Sequence, residues 1–214
     1  MRKWIPALLI VAAVAVSLVM YPSLPDQITT HWSMSGEPNG WSSRFWGAWL
    51  MPLIMAMIWV IMRALPHIDP RRENYEKFRG MYDLVVSALL AFMLGMHVFV
   101  LRAATGHAMP IGKVVFIGVG AMFVLIGYAL PKVHPNWFVG IRTPWTLTSD
   151  LSWERTHRIG GTLFIALGLV SIVSALVAPA ASPWFVLGAA LLTVVFLFVY
   201  SYRVWKDDPV RHST

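Results

Sequence analysis

Arg142 is the side chain of this sequence best placed to do chemistry. It stands in Asn136-Trp-Phe-Val-Gly-Ile-Arg-Thr-Pro-Trp-Thr-Leu147, with Trp137 and Trp145 close by in sequence. Gly140 permits a sharp bend, and Pro144 drives Thr143 toward extended geometry. A guanidinium on so constrained a backbone, flanked by indoles, can grip a carboxylate or phosphate with two parallel hydrogen bonds, or stack on an aromatic ring. Trp153-Glu-Arg-Thr-His-Arg158 follows. Thr148 and Ser149 can cap a helix with Asp150 in its first turn. Trp153 and His157 are then i, i+4 neighbours pointing back at the Arg142 loop, with Gly160 on the same side and Gly161 admitting another helix. Interfacial anchoring would account for either tryptophan and for a snorkelling arginine. It does not demand the order Gly-x-Arg-Thr-Pro-Trp. The run therefore reads as a dedicated site made of Asn136, Trp137, Gly140, Arg142, Thr143, Pro144, Trp145, Trp153, Thr156, His157 and Arg158.

A second organised segment precedes it, Leu24-Pro-Asp-Gln-Ile-Thr-Thr-His-Trp-Ser-Met-Ser-Gly-Glu-Pro-Asn-Gly-Trp41. Ile28 to Trp32 has the β-branched and aromatic character of a short strand. Gly36-Glu-Pro and Asn39-Gly40 are turn formers, with the positive φ of a tight turn expected at the second pair. Asp26, His31, Trp32, Gly36 and Trp41 are the residues of this cap suited to meeting a ligand. His31, His97 and His107, with Asp26 or Glu37, could supply metal ligands, but no His-x-x-x-His spacing supports a site. Neither a metal nor a cofactor is expected.

What must position these segments follows from composition. The chain has 214 residues, 57% hydrophobic and 13% charged, with a mean hydropathy of +0.64. That is the membrane class. Runs of roughly 17 to 20 apolar residues, enough to cross the hydrocarbon core as helix, fall at about 4–21, 46–65, 82–101, 114–130, 161–178 and 184–202. The first is followed by Met20-Tyr-Pro-Ser with no small-x-small cleavage site, so it reads as an uncleaved span. The fold class is all-α: one polytopic membrane domain of six helices, with an outer loop at 22–45 and an inner loop at 131–160. Tyr75, Phe78 and Tyr82, at i, i+3 and i+7 of a helix starting after Pro70, should face the bilayer interface or the third span.

Of the seventeen Lys and Arg, fourteen lie at the N-terminus, in 63–81, in 131–160 and at the C-terminus, while only Arg44, Arg102 and Lys113 lie on the other face. The positive-inside rule then puts both termini and both basic loops in the cytoplasm. The net charge of +7 is thereby juxtamembrane and meets lipid headgroups, with no direct binding of nucleic acid expected. With no cysteine, disulfides and thiolate metal sites are excluded. His97 is the one ionisable residue embedded among the spans, which disfavours ion-coupled transport. No Gly-x-Ser-x-Gly, His-Glu-x-x-His or intramembrane Asp pair is present, so the chain reads as a non-enzyme. An enzyme using Arg142, His157 and Arg158 on a lipid phosphate is the alternative, and a signalling receptor without immunity is another.

Together the two segments resemble the SdpI-type immunity proteins. The outer loop resembles their Leu-Pro-Asp-x-Ile-x-x-His-Trp…Gly-x-x-x-Gly signature, with Asn39 where an acidic residue is expected before Gly40. Gly140-Ile-Arg-Thr-Pro-Trp-Thr-Leu147…Trp153-x-x-Thr-His-Arg158 resembles their inner signature. The resemblance implies a multi-pass protein of the bacterial cytoplasmic membrane that protects its host from a secreted peptide toxin. It also implies, for at least one such system, signalling by drawing a transcriptional repressor to the membrane. On that expectation the outer loop meets the toxin and the Arg142–Trp153–His157 loop reads the event out inside.

Overall fold

The structure is a computed structural model and describes residues 4–107 and 110–212, the last two as backbone only. Arg2, Lys3 and the side chain of Arg211, counted above among the basic residues, lie outside the described residues. The described chain contains six helices long and apolar enough to cross a membrane, as the hydropathy pattern requires. They are α1 (Ile5–Met20), α2 (Arg44–Ile68), α3 (Tyr75–Ala104), α4 (Ile111–Ala129), α6 (Asp150–Val177) and α7 (Ser182–Lys206). A short α5 (Pro144–Thr148) precedes α6, and β1 (Gln27–Trp32) pairs antiparallel with β2 (Pro38–Ser43). The last two spans are joined by the expected proline-bounded hairpin, Ser182 opening α7 with a proline in its first turn. The chain divides into two compact units, residues 1–63 with 86–115 and residues 64–85 with 116–214.

The first unit carries the hairpin. Ile28 of β1 is fully buried and packs with Leu24, Ala48 and Leu101, flanked by Val16, Tyr21 and Trp49. Gly47 makes room for it, since a Cβ there would come within 2.8 Å of Ile28 Cδ1. The strand falls where its residue types indicate, and of the two expected turn formers Gly36-Glu-Pro makes the reversal while Asn39-Gly40 does not. Asn39-Gly40 lies inside β2, opposite His31, and the reversal is made by Ser33–Glu37, where Gly36 takes φ +86°. Ser33 and Glu37 close the turn through Ser33 N–H to the Glu37 carbonyl at 2.8 Å. Gly40 is needed for a different reason: a Cβ on it would strike His31 Cβ at 2.9 Å across the strands. Within the apolar part of this unit, Ser17 donates to the Ala48 carbonyl at 2.6 Å and His97 Nε2 sits 2.8 Å from the same hydroxyl. The embedded histidine thus joins α1, α2 and α3 through a paired polar contact, as hydrocarbon demands.

In the second unit α4 and α6 touch backbone to backbone. A Cβ on Gly127 would meet the Gly161 carbonyl at 2.6 Å, and one on Gly120 would meet that of Gly168 at 2.7 Å. Two glycines per helix, seven residues apart, keep one seam of small residues against the partner. Gly127→Ala should therefore push the helices apart and cost about 1–3 kcal/mol. Thermal unfolding in detergent checks this, and an unchanged midpoint would mean that the seam yields freely.

Candidate functional site

The signature loop is built around two buried polar side chains, Asn136 (1% exposed) and Asp69 (2%). Asn136 Nδ2 donates to the carbonyls of His134 and Val139, both at 2.9 Å. Its Oδ1 accepts the N–H groups of Phe138 at 2.9 Å and Val139 at 2.7 Å. One carboxamide thus saturates four main-chain groups of a loop that has no ladder of its own. Asp69 comes from the end of α2. Its Oδ1 accepts the Arg71 N–H at 2.7 Å and its Oδ2 the Trp137 N–H at 2.9 Å. The Tyr75 hydroxyl lies 3.1 Å from Asp69 Oδ2 and 3.3 Å from Asn136 Oδ1, so it ties the two together.

A second lock comes from α6. Ser149 caps this helix by accepting the Ser152 N–H at 2.9 Å, and it is itself bound to Asp208 Oδ2 at 2.5 Å. Trp153 and His157 stack with ring centroids 4.1 Å apart, and Trp153 Nε1 donates to the Val133 carbonyl at 2.9 Å. His157 Nε2 accepts the Ile141 N–H at 3.0 Å, which leaves the proton on Nδ1, 2.8 Å from the Trp153 carbonyl. The ring is therefore a neutral imidazole with both nitrogens engaged by main chain. Gly140 runs directly beneath that ring with φ +116°, and a Cβ there would overlap His157 Nε2. Gly160 leaves the matching space for Ile141. The face of Trp153, His157 and Gly160 turns toward the Arg142 loop, and Gly161 beside it lies against α4.

After the bend, Thr143 is extended at φ −110° and ψ 163°, as a residue before proline must be, and it caps α5. Its hydroxyl accepts the Thr146 N–H at 3.2 Å, and Thr146 Oγ1 accepts the Thr143 N–H at 2.9 Å. Thr146 Oγ1 also donates to the Ile141 carbonyl at 2.8 Å, and Thr143 Oγ1 to Ser201 Oγ at 3.1 Å. Pro144 occupies the first turn, where its missing N–H costs nothing. Thr156 is fully buried and its hydroxyl has no hydrogen-bond partner among the described residues.

The side chain that all this presents is Arg142. It is exposed, its Nη1 donates to the Trp137 carbonyl at 2.9 Å, and no carboxylate among the described residues pairs with it. The expected pair of flanking indoles is half right. Trp137 lies beside it in the loop and is 51% exposed. Trp145 instead packs on α7, edge-on to Phe198 at 4.7 Å and tilted against Tyr202 at 5.1 Å. Those two rings offer it apolar surface that the solvated guanidinium cannot. Arg158 is exposed and paired with Glu154 at 2.7 Å. Tyr75 and Phe78 turn inward, against Val133 and Trp153 with Tyr82 alongside, and not toward the bilayer. Asp69 is the member that residue types alone did not single out. Its loop also carries Glu73 and Glu76, so a carboxylate there is no signal of a structural role.

At the hairpin, Asp26 pairs with Arg44 at 2.6 Å and its own side chain is 95% exposed. His31 Nδ1 lies 2.5 Å from Asn39 Oδ1, so the asparagine of β2 serves as the histidine's partner. Trp41 is 58% exposed and Trp32 half-buried. His107 meets Thr105 Oγ1 at 3.2 Å. Each of the three histidines considered as metal ligands thus has a hydroxyl or amide partner.

Comparison with known proteins falls on these two segments. Residues 132–202, from the signature loop through α7, match the model of the SdpI/YfhL protein family. Residues 8–56, which contain the hairpin, match a domain of unknown function, DUF1648. The immunity protein SdpI of Bacillus subtilis (strain 168) is 22% identical over 207 residues, covering 96% of this chain and 97% of that protein. No solved structure matches. With six apolar helices of spanning length, the chain is a multi-pass protein of the bacterial inner membrane that is similar to the SdpI/YfhL family from the signature loop through α7.

Proposed function

We propose that this protein protects the cell carrying it from a membrane-active peptide, that the hairpin meets the peptide, and that the signature loop reports the encounter in the cytoplasm. The observation that supports the first part is that the hairpin is anchored from beneath and carries large exposed apolar side chains. Its inner residue Ile28 is fully buried, whereas Met34 and Trp41 are 55% and 58% exposed. Large exposed apolar side chains on an anchored scaffold bind at little entropic cost. The similarity to an immunity protein supports a role of this type and a protein that is not an enzyme. His157, whose two nitrogens are held by main chain, has no free nitrogen with which to serve a lipid-phosphate reaction. For the second part, the exposed pair Arg142 and Trp137 is a surface suited to an acidic partner such as a transcriptional repressor.

The experiment is survival and membrane potential of a toxin-sensitive bacterium expressing the chain and challenged with secreted pore-forming peptides. Trp41→Ala and His31→Ala should lose at least about tenfold in protection, the equivalent of one lost contact of 1.4 kcal/mol, at matched membrane levels. Arg142→Ala should keep protection and lose reporter induction. Full protection in both hairpin variants would remove the hairpin as the point of contact.

A further inference from the structure

Beside the signature loop lies a cleft of about 520 Å³ lined by Pro70, Arg71, Glu73, Asn74, Lys77, His134, Pro135 and Asp150. None of its charged residues belongs to the signature pattern. Its walls are the segments that adjoin the ends of spanning helices: Pro70 follows α2, Asn74 precedes α3 and Lys77 lies in its first turn, His134 and Pro135 follow α4, and Asp150 opens α6. Such segments sit at headgroup depth. The floor is fixed, because Asn74 Nδ2 donates to the Pro135 carbonyl at 2.7 Å.

The charges are mixed, two of each sign, and under-used. Arg71 reaches Asp150 at 3.5 Å and the Leu147 carbonyl at 3.4 Å, both longer than the ~2.7–2.9 Å of a good charge-assisted bond. Lys77 Nζ makes one bond, to Asn74 Oδ1 at 2.8 Å, leaving two of its N–H groups free. Glu73 has no hydrogen bond or ion pair among the described residues, and the Asp150 side chain is 82% exposed. A pure anion would face two carboxylates, and a pure cation two basic groups. A docked protein segment would want an apolar anchor, and the lining offers only two prolines.

We propose that this cleft binds a zwitterionic phosphoethanolamine group, its phosphate on Arg71 and Lys77 and its ammonium on Glu73 and Asp150. The group can come from a bilayer lipid or from a soluble ester. The site does not depend on toxin protection and can stand if that role fails.

Purified full-length protein in detergent, titrated with dihexanoyl-phosphatidylethanolamine and dihexanoyl-phosphatidylglycerol and read by native mass spectrometry, tests it. The ethanolamine lipid should bind about threefold to tenfold more tightly than the glycerol lipid, as one or two added charge contacts allow. Lys77→Gln should weaken both lipids by a similar factor. The double variant Glu73→Gln, Asp150→Asn should lose the preference while keeping the glycerol lipid. All three side chains are exposed, and matching near-ultraviolet dichroism verifies the fold. Glycerophosphoethanolamine competing as well as the lipid assigns the site to soluble esters, and failure to compete assigns it to the bilayer. Equal affinity for the two lipids, unchanged binding in Lys77→Gln, or binding of neither lipid overturns the proposal, the last leaving the cleft as a surface for a protein segment.

Discussion

Asn136→Ala is expected to lower the stability of the protein in detergent by about 3–5 kcal/mol, through several buried main-chain groups each left unpaired at about 1–3 kcal/mol. The substitution removes at once the partners of His134 O, Val139 O, Phe138 N–H and Val139 N–H. Part of that cost relaxes as water enters the loop, so the total stays below the simple sum. Asn136→Asp should do nearly as much harm. It keeps both acceptor bonds but turns a carboxylate oxygen toward two carbonyls, and it adds a charge beside the Tyr75 hydroxyl that already serves Asp69. The measurement is denaturant unfolding followed by tryptophan fluorescence, together with trypsin cleavage after Arg142. Cleavage should accelerate by an order of magnitude or more, since opening of the loop governs access. Wild-type unfolding and cleavage in Asn136→Ala would show that the loop is held from outside, by Trp153 and His157 alone.

The features that could be read from the sequence were those with local causes. Six spans follow from run length, since an apolar stretch of that size has few soluble alternatives. Pre-proline geometry at Thr143 and the Ser149 cap follow from steric and hydrogen-bonding rules that act over three or four residues. The stack of Trp153 on His157 follows from helical spacing. Where a residue had two acceptable local roles, tertiary contacts chose between them. Asn39-Gly40 can make a tight turn, yet Gly36 was equally free to adopt positive φ, and the turn at Ser33–Glu37 leaves Asn39 to meet His31. Trp145 could have flanked Arg142, but Phe198 and Tyr202 of α7, more than fifty residues on, gave it a surface to bury against. Asp69 had no local signal for its role at all. Its partner Trp137 N–H is 68 residues away, and only a long-range contact makes a loop carboxylate into a structural post.

That dependence on close long-range fit makes Gly140→Ala the substitution with the second large effect, at about 3–4 kcal/mol. Two costs combine. At φ +116° an alanine is strained by about 1–2 kcal/mol. Its Cβ would also occupy the position of the His157 Nε2 edge, and the imidazole can move only by giving up the Ile141 N–H or the Trp153 carbonyl. A buried orphan from either loss costs a further ~1–3 kcal/mol. The two costs can be separated by a double-mutant cycle with His157→Ala, which removes the ring that the new methyl group meets. Strain at φ is indifferent to position 157, whereas the clash is not. The double variant should therefore be more stable than the summed singles imply, by about 1–2 kcal/mol. Denaturant unfolding of the four proteins in one detergent gives the coupling directly. A coupling near zero would mean that the glycine is required for its backbone angle only, and that the imidazole is not what holds the loop under α6.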